Sequence, residues 1–181
     1  MNKFLLEELN IRRAIVDDDY EKFKSIIKKF DGYEIERLIF TQIEDILNTS
    51  DNKYITYMLY NCKWNNRNMD KIVDLSLQKL NSEENINIAI NLILNKYVSP
   101  YNRDRLIKNI NLEKFPECKE SVQKMYDVMV PDAKYPITLS MYNYALKNDI
   151  TINPLELSKN KNVKCNIFEN YKGTELNWYY I

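Results

Sequence analysis

Apolar residues recur along this chain at spacings of three and four, the period of an α-helix that buries one face. Between positions 20 and 30 they are Tyr20, Phe23, Ile26, Ile27 and Phe30, and most of the intervening lysines lie off that face. Similar patterns predict helices near residues 3–16, 33–47, 52–60, 69–80, 83–97, 100–110, 116–129 and 136–146, with a short turn after Asn153. The chain is therefore predicted to be mainly all-α, with nine or ten short helices.

Polar and proline residues mark the ends of these helices. The acids Asp17–Asp19, the hydroxyl of Ser82 and the pairs Ser99-Pro100 and Asn153-Pro154 are typical of helix starts. Asp31-Gly32 is typical of a helix stop, with Gly32 in the left-handed conformation.

Only two glycines occur in 181 residues, and they lie far apart in the sequence. Turns and bulges of all-β folds use glycine heavily, so its scarcity favours helices. Phosphate-binding loops of dinucleotide and P-loop folds need several glycines at fixed spacing, and this chain has no such motif.

The pattern changes near the C-terminus of the sequence. Val163, Cys165 and Ile167 alternate with polar residues, and alternation returns at Leu176 and Trp178. Period-two alternation around a glycine predicts a small β-hairpin over residues 163–181, and an extended segment packed on the helices is the alternative. We accordingly divide the chain into a helical domain, residues 1–160, and a C-terminal extended segment or hairpin, residues 161–181.

Short connections between the helices predict antiparallel neighbours. Such helices can form a stacked, solenoid-like helical repeat or an irregular bundle. No fixed-period sequence repeat distinguishes these two architectures.

The sequence contains no histidine and only three, widely separated cysteines. Histidine is the commonest general base near neutral pH and the commonest zinc ligand, so its absence argues against many hydrolases and metal sites. The Asp17–Asp19 cluster is more typical of helix capping than of cation binding. We expect no cofactor, no metal and no enzymatic activity, with Cys62, Cys118 and Cys165 as reduced thiols that serve core packing.

Neither a signal-peptide core nor a stretch of about 20 apolar residues is present. We therefore expect a cytoplasmic protein with no membrane partner.

Charge balances overall, but residues 61–115 hold nine basic and six acidic side chains. Six residues of the 61–108 region combine cations with an aromatic ring: Lys63, Trp64, Arg67, Arg103, Arg105 and Lys108. Such groups can contact phosphates and stack on a base, so nucleic acid is the alternative partner. The competing interpretation places Trp64 in the core and the charges in solvent.

Three aromatic residues, Trp178, Tyr179 and Tyr180, directly precede the last residue of the sequence, Ile181. Chain ends are usually polar, so this segment is expected either to dock on the protein's own core or to contact a partner.

The leading functional hypothesis is a non-enzymatic protein-binding module, because helical arrays present broad surfaces and no catalytic motif is present. Abundant Asn, Ile, Lys and Tyr are typical of an AT-rich genome, while tyrosines also suit a binding surface. The size and composition favour an inhibitor, immunity or anti-defence accessory factor, of viral, phage or low-GC bacterial origin, that sequesters a macromolecule. The partner's identity and the oligomeric state stay open.

Overall fold

A computed structural model describes residues 3–39, 43–48, 53–62, 64–163 and 165–171. The described residues form the helices α1 (Lys3–Val16), α2 (Tyr20–Ile27), α3 (Gly32–Ile39), α4 (Ile43–Asn48), α5 (Lys53–Asn61), α6 (Asn66–Leu77), α7 (Glu83–Ile93), α8 (Pro100–Asn109), α9 (Lys119–Met129), α10 (Leu139–Lys147), α11 (Pro154–Lys159) and α12 (Cys165–Asn170). A 3₁₀ turn, Pro116–Cys118, leads into α9. The all-α prediction is confirmed, and no strand occurs within the described ranges.

The predicted C-terminal hairpin is wrong. Residues Cys165–Asn170 form α12, and the segment from 172 onward lies outside the described residues. The physical reason is a four-residue spacing that competes with the alternation. Val163, Ile167 and Tyr171 all pack against the core, and the Tyr171 ring lies 6.4 Å from the Tyr142 ring. These positions are four residues apart, and Ile167 within α12 is fully buried, so packing favours the helical period over the alternation.

Most of the predicted helix starts are confirmed by side-chain hydrogen bonds to free backbone N–H groups. Asp19 accepts from the Lys22 amide at 3.0 Å, Ser82 from Asn85 at 3.3 Å and Ser99 from Asn102 at 3.3 Å. Asn153 caps α11 in the same way. Each cap satisfies a donor that the first helical turn cannot bond internally.

The Asp31-Gly32 segment differs from the expectation. Gly32 is the first residue of α3 and does not have positive φ. Asp31 instead accepts from the amides of Tyr33 and Glu34, both at 2.9 Å, while the Glu34 carboxylate accepts from the Asp31 amide at 3.2 Å. This reciprocal capping box begins α3, whereas α2 already ends at Ile27, so the pair marks a helix start and not the predicted stop.

Asp18 adopts the left-handed conformation, with φ of 52°, in the turn between α1 and α2. Its carboxylate accepts the Tyr54 hydroxyl at 2.8 Å and lies 2.8 Å from the Lys53 ammonium, so the turn is tied to α5. Aspartate tolerates this conformation better than most residues.

The helices stack in series. Among the described elements, one row of helices consists of α4, α6, α8, α10 and α12, and each helix packs against the next one in that order. A second row consists of α5, α7 and α9 and is packed in the same way. The two rows are joined where α4 meets α5, α6 meets α7 and α7 meets α8. This serial packing corresponds to the solenoid-like alternative.

Helices that stack on one another run parallel, and they are separated in the sequence by about the length of one pair of helices. From α6 to α8, Asp70 bonds Asn102, and from α8 to α10, Asp104 bonds Thr138. Hydrogen bonds between stacked helices join residues that are 32 to 36 positions apart. Two-helix repeats of known solenoids have similar lengths, about 33–47 residues. The helices of the array thus repeat at a regular spacing along the chain, although the amino-acid sequence does not repeat with that period.

Helix C-termini receive hydrogen bonds from side chains of later elements. The Asn95 amide donates to the Leu59 carbonyl at the end of α5 at 2.8 Å, and the Tyr135 hydroxyl donates to Leu94 after α7 at 2.7 Å. The Tyr144 hydroxyl donates to Ile110 after α8 at 3.0 Å, and the Asn160 amide donates to Val130 after α9 at 2.9 Å. These bonds satisfy carbonyls that the last turn leaves free.

The core is continuous along the stack. Phe23 and Tyr54 meet edge to face at 4.9 Å near α1 and α2, while Met58, Ile93, Leu106 and Met141 fill the centre. Cys62 and Cys118 are buried free thiols, as predicted, and the Cys165 side chain lies outside the described part.

The cross-helix tyrosine bonds can be tested by removing one hydroxyl. We expect Tyr144→Phe to lower the free energy of unfolding by about 1–2 kcal/mol, because the Ile110 carbonyl loses its donor. Urea denaturation measures the change. The matched control is Tyr60→Phe, which removes an exposed hydroxyl and should stay within about 0.5 kcal/mol of wild type. Equal effects from both variants would contradict the capping role.

Stability should fall at alkaline pH. Burial raises the pKa of the Cys118 thiol to about 11 and raises the pKa of Tyr126 and Tyr144 above the ordinary tyrosine value. The unfolded chain therefore releases these protons at lower pH than the folded chain, which favours unfolding as pH rises above about 9. Because the chain has no histidine, no ordinary side-chain pKa lies near 6.5, and stability should vary little between pH 6 and 8.

Thermal unfolding followed by circular dichroism tests this pH dependence. We expect the Tm to drop by roughly 5 °C or more between pH 8 and pH 10.5. Cys118→Ala removes the thiol contribution, so its Tm should decline less steeply across the same range. A wild-type Tm that stays level to pH 10.5 would refute the expectation.

Candidate interaction surface

The structure separates the candidates of the 61–108 region into buried and exposed groups. Trp64 is only 3% exposed and belongs to the hydrophobic core, so its predicted role as a stacking surface residue is wrong. Lys63 lies outside the described residues, as do Trp178, Tyr179 and Tyr180. The core interpretation of Trp64 is therefore the correct one.

Arg103 is also buried, although it lies on a helix with exposed neighbours. Its Nε donates to the Ile93 carbonyl and its Nη2 to the Asn95 carbonyl, both at 2.9 Å. The guanidinium stacks 5.1 Å from the centre of the Tyr135 ring. Burial lowers the pKa of Arg103, and Tyr135 partly opposes that effect. Arg103 caps the C-terminus of α7 and, only 3% exposed, does not offer its charge to a surface ligand.

Arg105 is half-buried and is paired within the molecule. Its Nη2 lies 2.8 Å from the Asp74 carboxylate on α6, and its Nη1 donates to the Asn102 side chain at 3.1 Å. Asn102 in turn donates to Asp70. These four side chains join α6 to α8, so the positive charge is largely compensated where it reaches the surface.

Three side chains form one exposed stripe on α8. Tyr101, Arg105 and Lys108 follow at spacings of four and three, and so share a helix face. Tyr101 is 72% exposed, and the Arg105 guanidinium lies 5.7 Å from its ring centre. We call these three residues the α8 stripe. Tyr101 is a large aromatic residue within the predicted helix 100–110, and only the fold shows that it points outward.

A polar groove lies beside the C-terminal end of this stripe, between α8 and α10. Its volume is about 610 Å³. We call it the α8–α10 groove, and the residues that line it are Lys108, Asn109, Ile110, Asn111, Leu112, Glu113, Ser140, Asn143, Tyr144, Lys147 and Asn148. Four of these are asparagines, whose amides both donate and accept hydrogen bonds.

Some groove amides are already engaged in the fold. Asn109 donates to the Arg105 carbonyl and Asn148 to the Tyr144 carbonyl, both at 2.8 Å, and Asn111 accepts from the Lys114 amide at 3.0 Å. Asn143 is exposed on α10, 34 residues after Asn109 and thus one structural period along. Asn109 and Asn143 therefore occupy related positions on two stacked helices.

The groove is lined by two cations, Lys108 and Lys147, and one carboxylate, Glu113. The Lys147 ammonium lies 3.5 Å from the Glu113 carboxylate, and both side chains are exposed. Lys108 and Lys147 lie in the last turns of their helices, where a cation is favourable to the helix dipole. Glu113 is the only carboxylate among the residues that line the groove, so the groove lacks the paired carboxylates of many hydrolases.

Arg67 is exposed near the start of α6, away from this groove. Because α6 and α8 are parallel, Asp70 and Asp74 lie between Arg67 and the cations at the end of α8. Five of the six predicted residues are described, and they do not form one basic patch, because Trp64 and Arg103 are buried and Arg67 lies apart from Arg105 and Lys108.

These features define an α-helical array with a polar groove between α8 and α10. In comparisons with known proteins, no family model matches the sequence, and no curated protein or solved structure is significantly similar to it. Among the described helices, none combines the length and apolar character that a membrane crossing needs. Within the same residues, no group of three or more acidic or cysteine side chains is arranged to hold a metal ion.

The buried role of Arg103 makes a stability prediction. Arg103→Met replaces the arginine with an apolar side chain of similar length, so that the Ile93 and Asn95 carbonyls lose their donors. We expect the free energy of unfolding to fall by about 2–4 kcal/mol in urea denaturation, because two charge-assisted hydrogen bonds are lost. Arg67→Met changes an exposed arginine and should stay within about 0.5 kcal/mol. If Arg103→Met were as stable as Arg67→Met, the capping role would be wrong.

Proposed function

We propose that this protein is a non-enzymatic protein-binding module whose α8 stripe and α8–α10 groove hold a segment of a partner protein. The observation that carries the proposal is an amide-lined groove at the C-terminal end of the α8 stripe, whose first residue, Tyr101, is 72% exposed and lies against the half-buried Arg105 guanidinium. Tyrosine and arginine are enriched among residues that dominate binding energy at protein interfaces. Tyr101 offers a large rigid ring at little entropic cost.

The groove chemistry favours an extended, polar segment of the partner. A peptide backbone presents alternating N–H and C=O groups, which side-chain amides can match. Asn143 and Ser140 contribute such groups from α10, and Lys108 can pair with an acidic side chain of the partner. We propose that sequestering such a segment inhibits the partner, as an immunity or anti-defence accessory factor of the cytoplasm does.

Nucleic acid is the weaker alternative for this surface. Phosphate binding depends on a field of uncompensated cations. Here Asp74 lies beside Arg105 and Glu113 beside Lys147, and each carboxylate would repel a phosphate chain. This local pairing favours a protein segment over a polyanion.

The proposal predicts which surface variants lose the partner. A tagged chain is used to capture partners from a lysate of the native host, with and without nuclease, and bound proteins are identified and quantified. Tyr101→Ala and Asn143→Ala should each reduce recovery of the stoichiometric partner by about tenfold, corresponding to the 1–2 kcal/mol typical of an interface anchor. Circular dichroism checks that each variant keeps its fold.

Tyr60→Ala is the matched control, because Tyr60 is a similarly exposed tyrosine on α5, outside the groove. Recovery should be unchanged for this control and insensitive to nuclease. Recovery that depends on nuclease and falls steeply with salt would replace the proposal with nucleic-acid binding. If Tyr60→Ala reduces recovery of a protein partner as much as Tyr101→Ala and Asn143→Ala do, the interface lies elsewhere. The same conclusion follows if neither Tyr101→Ala nor Asn143→Ala reduces recovery.

A further inference from the structure

The connections that follow α7, α9 and α11 lie side by side along one edge of the array. Hydrogen bonds join residues 94–99 to the end of α5, residues 130–138 to residues 94–99, and residues 160–163 to residues 130–138. We call these three connections the loop edge. Because stacked helices run parallel, α6, α8 and α10 all begin at this edge.

The same tight turn recurs in each of the three connections. The side chains of Asn95, Asp132 and Asn160 each accept a hydrogen bond from the backbone amide two positions later, at 2.9, 3.0 and 3.0 Å. Such side-chain turns are typical of asparagine and aspartate. Each turn contains one exposed lysine, and these lysines are Lys96, Lys134 and Lys161.

Most of the positive charge at the loop edge is not compensated by a carboxylate. Among the described side chains, no carboxylate forms an ion pair with Lys96 or Lys161. The same holds for Arg67, which is exposed in the first turn of α6. Lys134 differs, since its ammonium lies 2.5 Å from the Asp132 carboxylate. We call Arg67, Lys96 and Lys161 the cation row.

The acids of the helix starts lie at the opposite edge of the array. α6, α8 and α10 begin at the loop edge and have no acidic residue in their first turns. α7, α9 and α11 begin at the opposite edge, and their first turns contain Glu83, Glu84, Glu120 and Glu156. Carbonyl groups at the ends of α5, α7 and α9, which would repel an anion at the loop edge, accept hydrogen bonds from side chains. The loop edge therefore favours a ligand with several negative charges.

An exposed aromatic ring lies beside the cation row. Tyr60 is 68% exposed on the last turn of α5, next to the Leu59 carbonyl that Asn95 bonds. Such a ring can stack on a base while neighbouring cations contact phosphates. An acidic peptide has no base to place on the ring, and the bases of a duplex are stacked on one another. The ring thus favours a single strand among the possible polyanions.

We infer that the loop edge binds single-stranded nucleic acid, with phosphates on the cation row and a base on the Tyr60 ring. Neighbouring packed helices lie about 8–10 Å apart, so the connections present their cations at intervals along a line. This edge has the unpaired cations that the α8–α10 groove lacks. The inference does not depend on the partner proposed for that groove.

The number of cations sets the expected salt dependence. Each phosphate contact on a single strand contributes about 0.7 to the slope of log K against log salt concentration, so three contacts give a slope of about −2. The Kd should lie at about 1–100 μM at about 0.15 M salt, the range of sequence-independent binding.

Fluorescence anisotropy of a labelled oligo(dT) with the purified full-length chain tests the inference. Lys96→Gln combined with Lys161→Gln should weaken binding about tenfold or more at about 50 mM salt and reduce the slope by about 1.4. The matched control is Lys114→Gln combined with Lys119→Gln, which makes the same change of net charge with exposed lysines at the opposite edge. This control should stay within about twofold of wild type, because distant exposed charges are screened.

The Tyr60 ring and two further ligands test the kind of partner. Tyr60→Ala should weaken oligo(dT) binding about fivefold, which corresponds to the low end of base stacking on an aromatic ring. An oligoglutamate peptide and a duplex of the same length should each bind more weakly than oligo(dT) at the same salt concentration. Circular dichroism checks that each variant keeps its fold.

An absence of oligo(dT) binding at about 50 mM salt would overturn the inference, as would equal losses in the two double-lysine variants. Equal or tighter binding of the peptide would show that the edge takes an acidic protein segment, and equal or tighter binding of the duplex would exclude a preference for single strands. These measurements use no other protein, so their failure is distinct from a failure of partner capture by the groove.

Discussion

The stack depends on how its helices end. The last turn of an α-helix leaves carbonyl groups without internal donors, and glycine usually lets the chain turn back to cover them. With two glycines in the whole chain, this protein uses side chains of later elements instead. Tyr135, Tyr144 and Asn160 each donate to a carbonyl that follows a helix end. Arg103 donates to the carbonyl of Ile93, the last residue of α7, and to that of Asn95. Each of these bonds connects a later element of the chain to the end of an earlier helix.

This arrangement changes the meaning of the composition. Tyrosine and asparagine are abundant, and the sequence alone gives a genomic bias and a binding surface as equal explanations. Several of these residues instead bond carbonyls inside the fold, with Tyr126 donating to Met141 at 2.7 Å as a fully buried example. Tyr101 and Tyr60 remain exposed. A binding surface can therefore use only the few tyrosines that point outward, whatever their total number in the chain.

The sequence predicted what depends on local physics. Apolar periodicity and capping residues located most helices, because an N-cap needs only a side chain within three positions of the amide that it bonds. The hairpin failed because two periods fitted the same residues, and the packing of Ile167 and Tyr171 decided between them. The prediction of the contact residues failed for a related reason. Arg103 and Arg105 are two positions apart, so a helix turns one inward and the other outward, and only the stacking of α6, α7 and α8 shows which. The structural period was likewise hidden, since stacked positions such as Asp70 and Asp104 bond different side-chain types on the next helix.

A stack that bonds each helix end from a later element also constrains where binding can occur. Side chains that face the next helix are held by that contact, so a partner can use only the outer faces and the gaps between helix ends. The α8 stripe is an outer face, and the α8–α10 groove is such a gap, with Tyr144 closing its floor through the Ile110 carbonyl. Because that floor is also a link between stacked helices, the groove is shaped before any partner arrives. A preformed groove loses little conformational entropy on binding, which favours a flexible segment of the partner as the component that becomes ordered.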